Sequence, residues 1–153
     1  METVKEIGVL VGVIAGLWGL YKGVLEFNLQ GKQKRAEIFL KKQAEYFGNK
    51  SFNEVRSLVE RDDPSLANYS FEDKRAYLTF FEEIAVLRNS GLINSSLAYY
   101  MFGYYATRCL ESDYFWANMN RNDLFWNVFS QFAKEMQTRL RKNNEVVSHR
   151  VEV

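Results

Sequence analysis

The stretch Ser112–Asn127, SDYFWANMNRNDLFWN, gathers the side chains best suited to recognising a ligand. It sets Tyr114, Phe115 and Trp116 beside Asn118, Asn120, Arg121 and Asn122. Flat rings stack on bases, Asn amides match the donor–acceptor edge of adenine, and a guanidinium forks onto phosphate. Arg108 follows Tyr104 and Tyr105 by one helical turn and adds a second guanidinium. If buried, it needs an anion: Glu82 or Glu83 within the fold, or a ligand phosphate. The candidate ligand-binding set is therefore Arg108, Trp116, Asn118, Asn120, Arg121 and Asn122. The same composition also suits an ordinary connector with Asn caps and an aromatic plug.

Catalytic patterns are absent from the sequence. The single histidine, His149, and the single cysteine, Cys109, are far apart in the chain. Neither spacing nor residue type suggests a nucleophile–base pair or a metal site. There is no glycine-rich phosphate loop, GxSxG elbow or HExxH helix. Glu82 and Glu83 are adjacent, so on a helix they diverge by about 100° and cannot act as facing acid and base. The expectation is no enzyme, no cofactor and no metal. Cys109 reads as a small core residue.

The elements that position these residues read as helices. Composition is 47% hydrophobic and 25% charged over 153 residues, which suits one folded domain with an appendage. The formal net charge of +1 excludes the strong basic bias of a general duplex nucleic-acid binder. Gly31 to Phe47 is amphipathic, and Gly48 ends it. Ser51 with Glu54 suggests a capping box for a short helix to Glu60, stopped before Pro64. Ser70 with Asp73 opens a long helix that carries Tyr77, Phe80, Phe81, Ile84 and Leu87 and stops at Gly91. Asn94 or Ser95 caps the next, whose Tyr99, Tyr100, Tyr104 and Tyr105 form a stripe. After a loop from Asp113 to Asn122, Asp123 opens a final helix with Leu124, Phe125, Val128, Phe129, Phe132, Met136 and Leu140 on its apolar face. The tail from Asn143 is polar, with VVSHRVEV a possible short strand.

The N-terminal part differs in character. Ile7 to Tyr21 runs fifteen residues without a charge, and apolar residues continue past Lys22 to Phe27. At 1.5 Å per residue the uncharged run covers about 22 Å, and snorkelling of Lys22 extends it towards the ~30 Å of a bilayer core. A transmembrane helix is the expectation. Lys22, Lys32, Lys34, Arg35, Lys41 and Lys42 follow it and Lys5 precedes it, which assigns the C-terminal domain to the cytoplasmic side of the inner membrane. Gly8, Gly12 and Gly16 recur every four residues, a ridge suited to close helix–helix approach and so to self-association. The resulting architecture is all-α: a membrane anchor at 1–30, a compact helical cytoplasmic domain at 31–142 and a flexible tail at 143–153.

FFEEIAVLRNSGLI (Phe80 to Ile93) and YYMFGYYATRCLE (Tyr99 to Glu111) resemble a bacterial family of unknown function that joins one N-terminal membrane helix to a small helical domain. In overall architecture the chain also resembles the small membrane effectors of type III CRISPR systems. That second resemblance implies a homotetramer, a cyclic tetra-adenylate ligand and a lipid-bilayer target. It implies an antiviral pore or bilayer-perturbing role, and it carries over no binding residue. The alternative is an adaptor or scaffold tethered to the membrane that recruits a cytoplasmic protein partner through its aromatic surface.

Overall fold

A computed structural model describes the backbone of residues 2–151 and the side chains of residues 16–143. Helix α1 (Glu2–Gly48) is followed by α2 (Lys50–Arg61), a 3-10 turn (Pro64–Asn68) and α3 (Phe71–Asn89). Then come α4 (Ser95–Ala98), a π-helical segment (Tyr99–Gly103), α5 (Tyr104–Glu111) and α6 (Asp113–Trp116). A second 3-10 turn (Leu124–Trp126) leads into α7 (Asn127–Val151). No strand occurs among the described residues, so the all-α expectation holds. The segment once open to a short strand is part of α7 as far as Val151.

Among the described residues no helix is long and apolar enough to cross a membrane. This corrects the expectation of an N-terminal transmembrane helix, and with it the single-pass inner-membrane localisation and the cytoplasmic side assigned to the domain. The physical reason lies in the sequence of α1 from Gly16 onward. Five residues separate Gly16 from Lys22, and Glu26, Asn28, Gln30 and Lys32 then interrupt every turn. The earlier part of the expected span, including Gly8 and Gly12, lies outside the described side chains.

The chain divides into two compact units, Met1–Glu37 and Ile38–Val153. In the first, α1 leaves Leu17, Trp18, Leu20, Tyr21, Val24 and Phe27 exposed. In the second, α3, α5 and α7 pack together, and α2 closes against α3 and α5. The core is unusually aromatic. Tyr46 stacks on Phe80 with centroids 5.0 Å apart and meets Phe102 edge-on at 5.4 Å. Such pairs contribute about 0.5–1.5 kcal/mol each beyond the area they bury. The hydroxyls of Tyr46 and Tyr77 bond to each other at 2.7 Å, which satisfies two polar groups that burial would otherwise orphan. Burial drives both phenol pKa values well up. Cys109 is fully buried, as its reading as a core residue requires.

Local capping chemistry sets most boundaries. Ser70 accepts from Asp73 N at 3.2 Å and starts α3. Asn94 accepts from Ser96 N at 2.8 Å and starts α4. Gly91 takes φ +74° in the turn after α3, where a side chain would be strained. At α2 the expectation fails: Asn49, not Ser51, is the cap, accepting from Phe52 N at 3.2 Å. Ser51 instead donates to Asp73 at 2.7 Å, a tertiary bond that ties α2 to α3.

Candidate functional site

The loop between α5 and α7 is held from both ends. Ser112 accepts from Phe115 N to cap α6, and its hydroxyl donates at 2.6 Å to Asp62 Oδ1, the residue that closes α2 at φ 50°. Trp116 is 5% exposed and donates its indole N–H to Cys109 O at 2.9 Å. Its ring packs against Phe115, Trp126 and Phe129. Arg121 lies over that ring, 5.8 Å from its centroid, and donates to Asp113 Oδ1 at 2.7 Å and to Ser112 O at 3.3 Å. Trp116 and Arg121 thus fasten the loop to the core: the aromatic plug of the simpler reading is Trp116, and the guanidinium is its cover.

The other expected residues separate. Arg108 turns to α2 and donates to Glu60 O at 3.3 Å, so neither Glu82 nor Glu83 is its partner. Glu83 pairs with Lys42, and Arg88 pairs with Glu135. Asn122 donates its backbone N–H to Asn120 Oδ1 at 3.1 Å, closing an Asx turn. Asn118 adopts φ +64°, a conformation Asn tolerates better than most residues, and donates to Ala67 O at 3.5 Å. Of the six residues, only Asn118 and Asn120 are brought to a common opening.

That opening is a cleft of about 340 Å³ between the first turns of α3 and the loop. Phe71 and Arg75 line it from α3; Asn118, Met119, Asn120 and the carboxylate-bearing Asp123 from the loop; and Phe125 and Trp126 from the 3-10 turn. Phe71 is 51% exposed and Phe125 64% exposed. Two large rings left in solvent at the mouth of one cleft, next to two amides and a guanidinium, form a surface suited to a flat heteroaromatic ring bearing an anion. Arg75 is held by Glu72 at 3.3 Å, an exposed pair that a ligand anion can replace at small cost.

Sequence reasoning missed Phe71, Arg75 and Phe125. Phe125 falls on the apolar face of a helix extrapolated from Asp123, as do Leu124 and Val128. The structure exposes Leu124 by 87% and Val128 by 43%. Asp123 caps a 3-10 turn, accepting from Phe125 N at 2.9 Å, and α7 begins only at Asn127. The tighter turn changes the phase locally, so Trp126 enters the core in place of Phe125, while Phe129, Phe132 and Met136 are buried as their spacing predicts. The tyrosine stripe is broken in the same way. The π-helical segment shifts the register between Tyr99 and Tyr104, leaving Tyr100 81% exposed and Tyr99 and Tyr105 half-buried.

No group of His, Cys, Asp and Glu arranged to hold a metal occurs among the described residues. No family model matches the chain, and neither does any curated protein or solved structure.

Proposed function

We propose that the chain is a non-enzymatic receptor module that binds an adenine-nucleotide ligand of the cyclic oligoadenylate class and works as a homo-oligomer. The observation that carries this reading is the cleft in which exposed Phe71 and Phe125 accompany Asn118, Asn120 and Arg75. Stacking on such rings contributes about 1–3 kcal/mol per base. Amides of Asn118 and Asn120 select the adenine edge, and Arg75 meets phosphate. A ligand with four repeats suits four protomers, each supplying one such cleft, which gives closed symmetry. Self-association is supported by α1, where exposed Leu17, Leu20, Val24 and Phe27 follow the three–four spacing of a coiled-coil seam. The resemblance to CRISPR-associated effectors points to the same ligand class.

The test is calorimetric titration of the whole chain with cyclic tetra-adenylate, alongside Phe125→Ser and Asn120→Ala. Binding is expected for the unaltered chain, with at least a tenfold loss for Phe125→Ser. Absence of binding up to high-micromolar ligand overturns the reading. A second reading, an adaptor for a protein partner, is favoured by the apolar rim of Leu124, Phe125 and Val128. It predicts that the rim substitutions abolish capture of a protein partner while nucleotides have no effect.

A further inference from the structure

A second cleft lies on the seam between α7 and the α4–π-helical segment, and it shares no residue with the first. It measures about 360 Å³ and is lined by Ser96, Tyr99, Arg139, Lys142 and Asn143. A neighbouring cleft of about 450 Å³, which includes Arg88 and Glu135, adjoins it through Arg139. Arg88 is neutralised by Glu135. Arg139 and Lys142 line the Tyr99 cleft with two positive charges and make no ion pair among the described residues.

Arg139 is also fixed in place. Its Nη1 donates to Ser95 O at 3.0 Å, and its guanidinium carbon sits 5.6 Å from the centre of the Tyr99 ring. Two contacts thus orient the planar group and leave its other N–H donors for the clefts it lines. The Tyr99 ring is itself held. A Cβ added at Gly103 would come within 3.1 Å of Tyr99 Cδ2 and 3.3 Å of Met136 Sδ, so the ring lies pressed against the one residue that leaves it room. Tyr99 opens the π-helical segment, a local irregularity that recurs at functional sites. Its hydroxyl accepts from Asn143 Nδ2 at 3.0 Å, which leaves the hydroxyl proton to donate elsewhere.

We infer that this cleft binds a phosphoryl oxyanion. Arg139 and Lys142, three residues apart on one face of α7, supply two positive charges. The Tyr99 and Ser96 hydroxyls supply neutral donors to the remaining oxygens. A phosphate, with more acceptor oxygens than a carboxylate, uses all four groups at once. This inference stands apart from the adenine cleft, because no aromatic ring of the ligand is needed.

The test is titration of the whole chain with inorganic pyrophosphate at constant ionic strength, with adenosine monophosphate as a second arm. Arg139→Gln, Lys142→Gln and Phe125→Ser are compared, with helicity checked by circular dichroism. Pyrophosphate binding is expected to weaken at least tenfold in Arg139→Gln and several-fold in Lys142→Gln, and to be unchanged in Phe125→Ser. Monophosphate binding that weakens in Arg139→Gln and Lys142→Gln identifies a nucleotide phosphate as the source, and any part lost in Phe125→Ser belongs to the adenine cleft. Equal pyrophosphate binding in Arg139→Gln, no binding to the unaltered chain at millimolar pyrophosphate, or loss only in Phe125→Ser overturns the inference.

Discussion

Lys74 is a charged side chain that the core accommodates at a cost, and replacing it with Met should stabilise the protein. It lies on α3 at 1% exposure. Its ammonium, which has three protons to donate, reaches one acceptor, Ala117 O, at the long distance of 3.4 Å. It also sits 5.8 Å from the centre of the Phe115 ring. Desolvating an ammonium costs several kcal/mol even after the surroundings relax. Against this stand one stretched hydrogen bond, worth about 1 kcal/mol, and a cation–π contact of about 0.5–2 kcal/mol. Met keeps most of the side-chain volume and loses the charge, so Lys74→Met should gain about 1–3 kcal/mol at pH 7. The gain should shrink as pH rises. Burial lowers the pKa of Lys74 below 10.5, an effect the neighbouring Cys109 only partly opposes. Between the folded and unfolded pKa values of Lys74 its amine holds more of its proton in the unfolded chain than in the folded one, so the Lys74 contribution to stability climbs with pH in that window. Urea unfolding of both proteins at pH 7 and pH 9.5 reads the difference. Burial also raises the pKa values of Cys109, Tyr46 and Tyr77, so their ionisation in the unfolded chain lowers stability at high pH; that loss is common to both proteins and cancels in their difference. A Lys74→Met protein less stable than the parent by more than about 1 kcal/mol at pH 7 refutes the reasoning, since the ammonium would then be a net stabilising partner.

Two further predictions concern the aromatic core. Tyr77→Phe leaves the buried Tyr46 hydroxyl without its 2.7 Å partner and should cost about 1–3 kcal/mol, whereas Tyr46→Phe with Tyr77→Phe should be closer to the parent; chemical denaturation of the double-mutant cycle measures the coupling. Gly103→Ala sets a methyl 3.1 Å from Tyr99 Cδ2 and 3.3 Å from Met136 Sδ, an overpacking of about 1–3 kcal/mol set against the ~1 kcal/mol that Ala gains over Gly in a helix, and should lower the denaturation midpoint modestly; a raised midpoint would show that the two side chains yield freely.

The all-α class and the starts of α3 and α4 were legible in the sequence because they rest on short-range chemistry. Ser70 and Asn94 bond to amides two or three residues away, and Gly91 resolves its turn with its own φ. Nothing distant needs to be known. Ser51 marks the limit of that logic: its hydroxyl has a local use as a cap and a tertiary use on Asp73, and packing of α2 on α3 chose the second. The transmembrane expectation rested on an apolar run that begins before the described side chains. From Gly16 onward, charged and polar residues leave no segment of sufficient length.

The candidate site was only half legible. The sequence located the Asn-rich loop between α5 and α7, and Asn118 and Asn120 do line a cleft there. It could not tell which aromatic faces solvent, because burial is the sum of contacts from elements far apart in the chain. Trp116 is enclosed by Phe115, Trp126, Phe129 and Arg121, whereas Phe125, one residue from buried Trp126, points outward. A 3-10 turn and a π-helical segment each change the angular step per residue, so an apolar pattern read at a constant 100° misassigns the residues in and beside them, Leu124, Phe125 and Tyr100 among them. Helix type and cap positions were settled by bonds within a few residues; the direction each ring faces was settled only when α2, α3, α5 and α7 closed on one another.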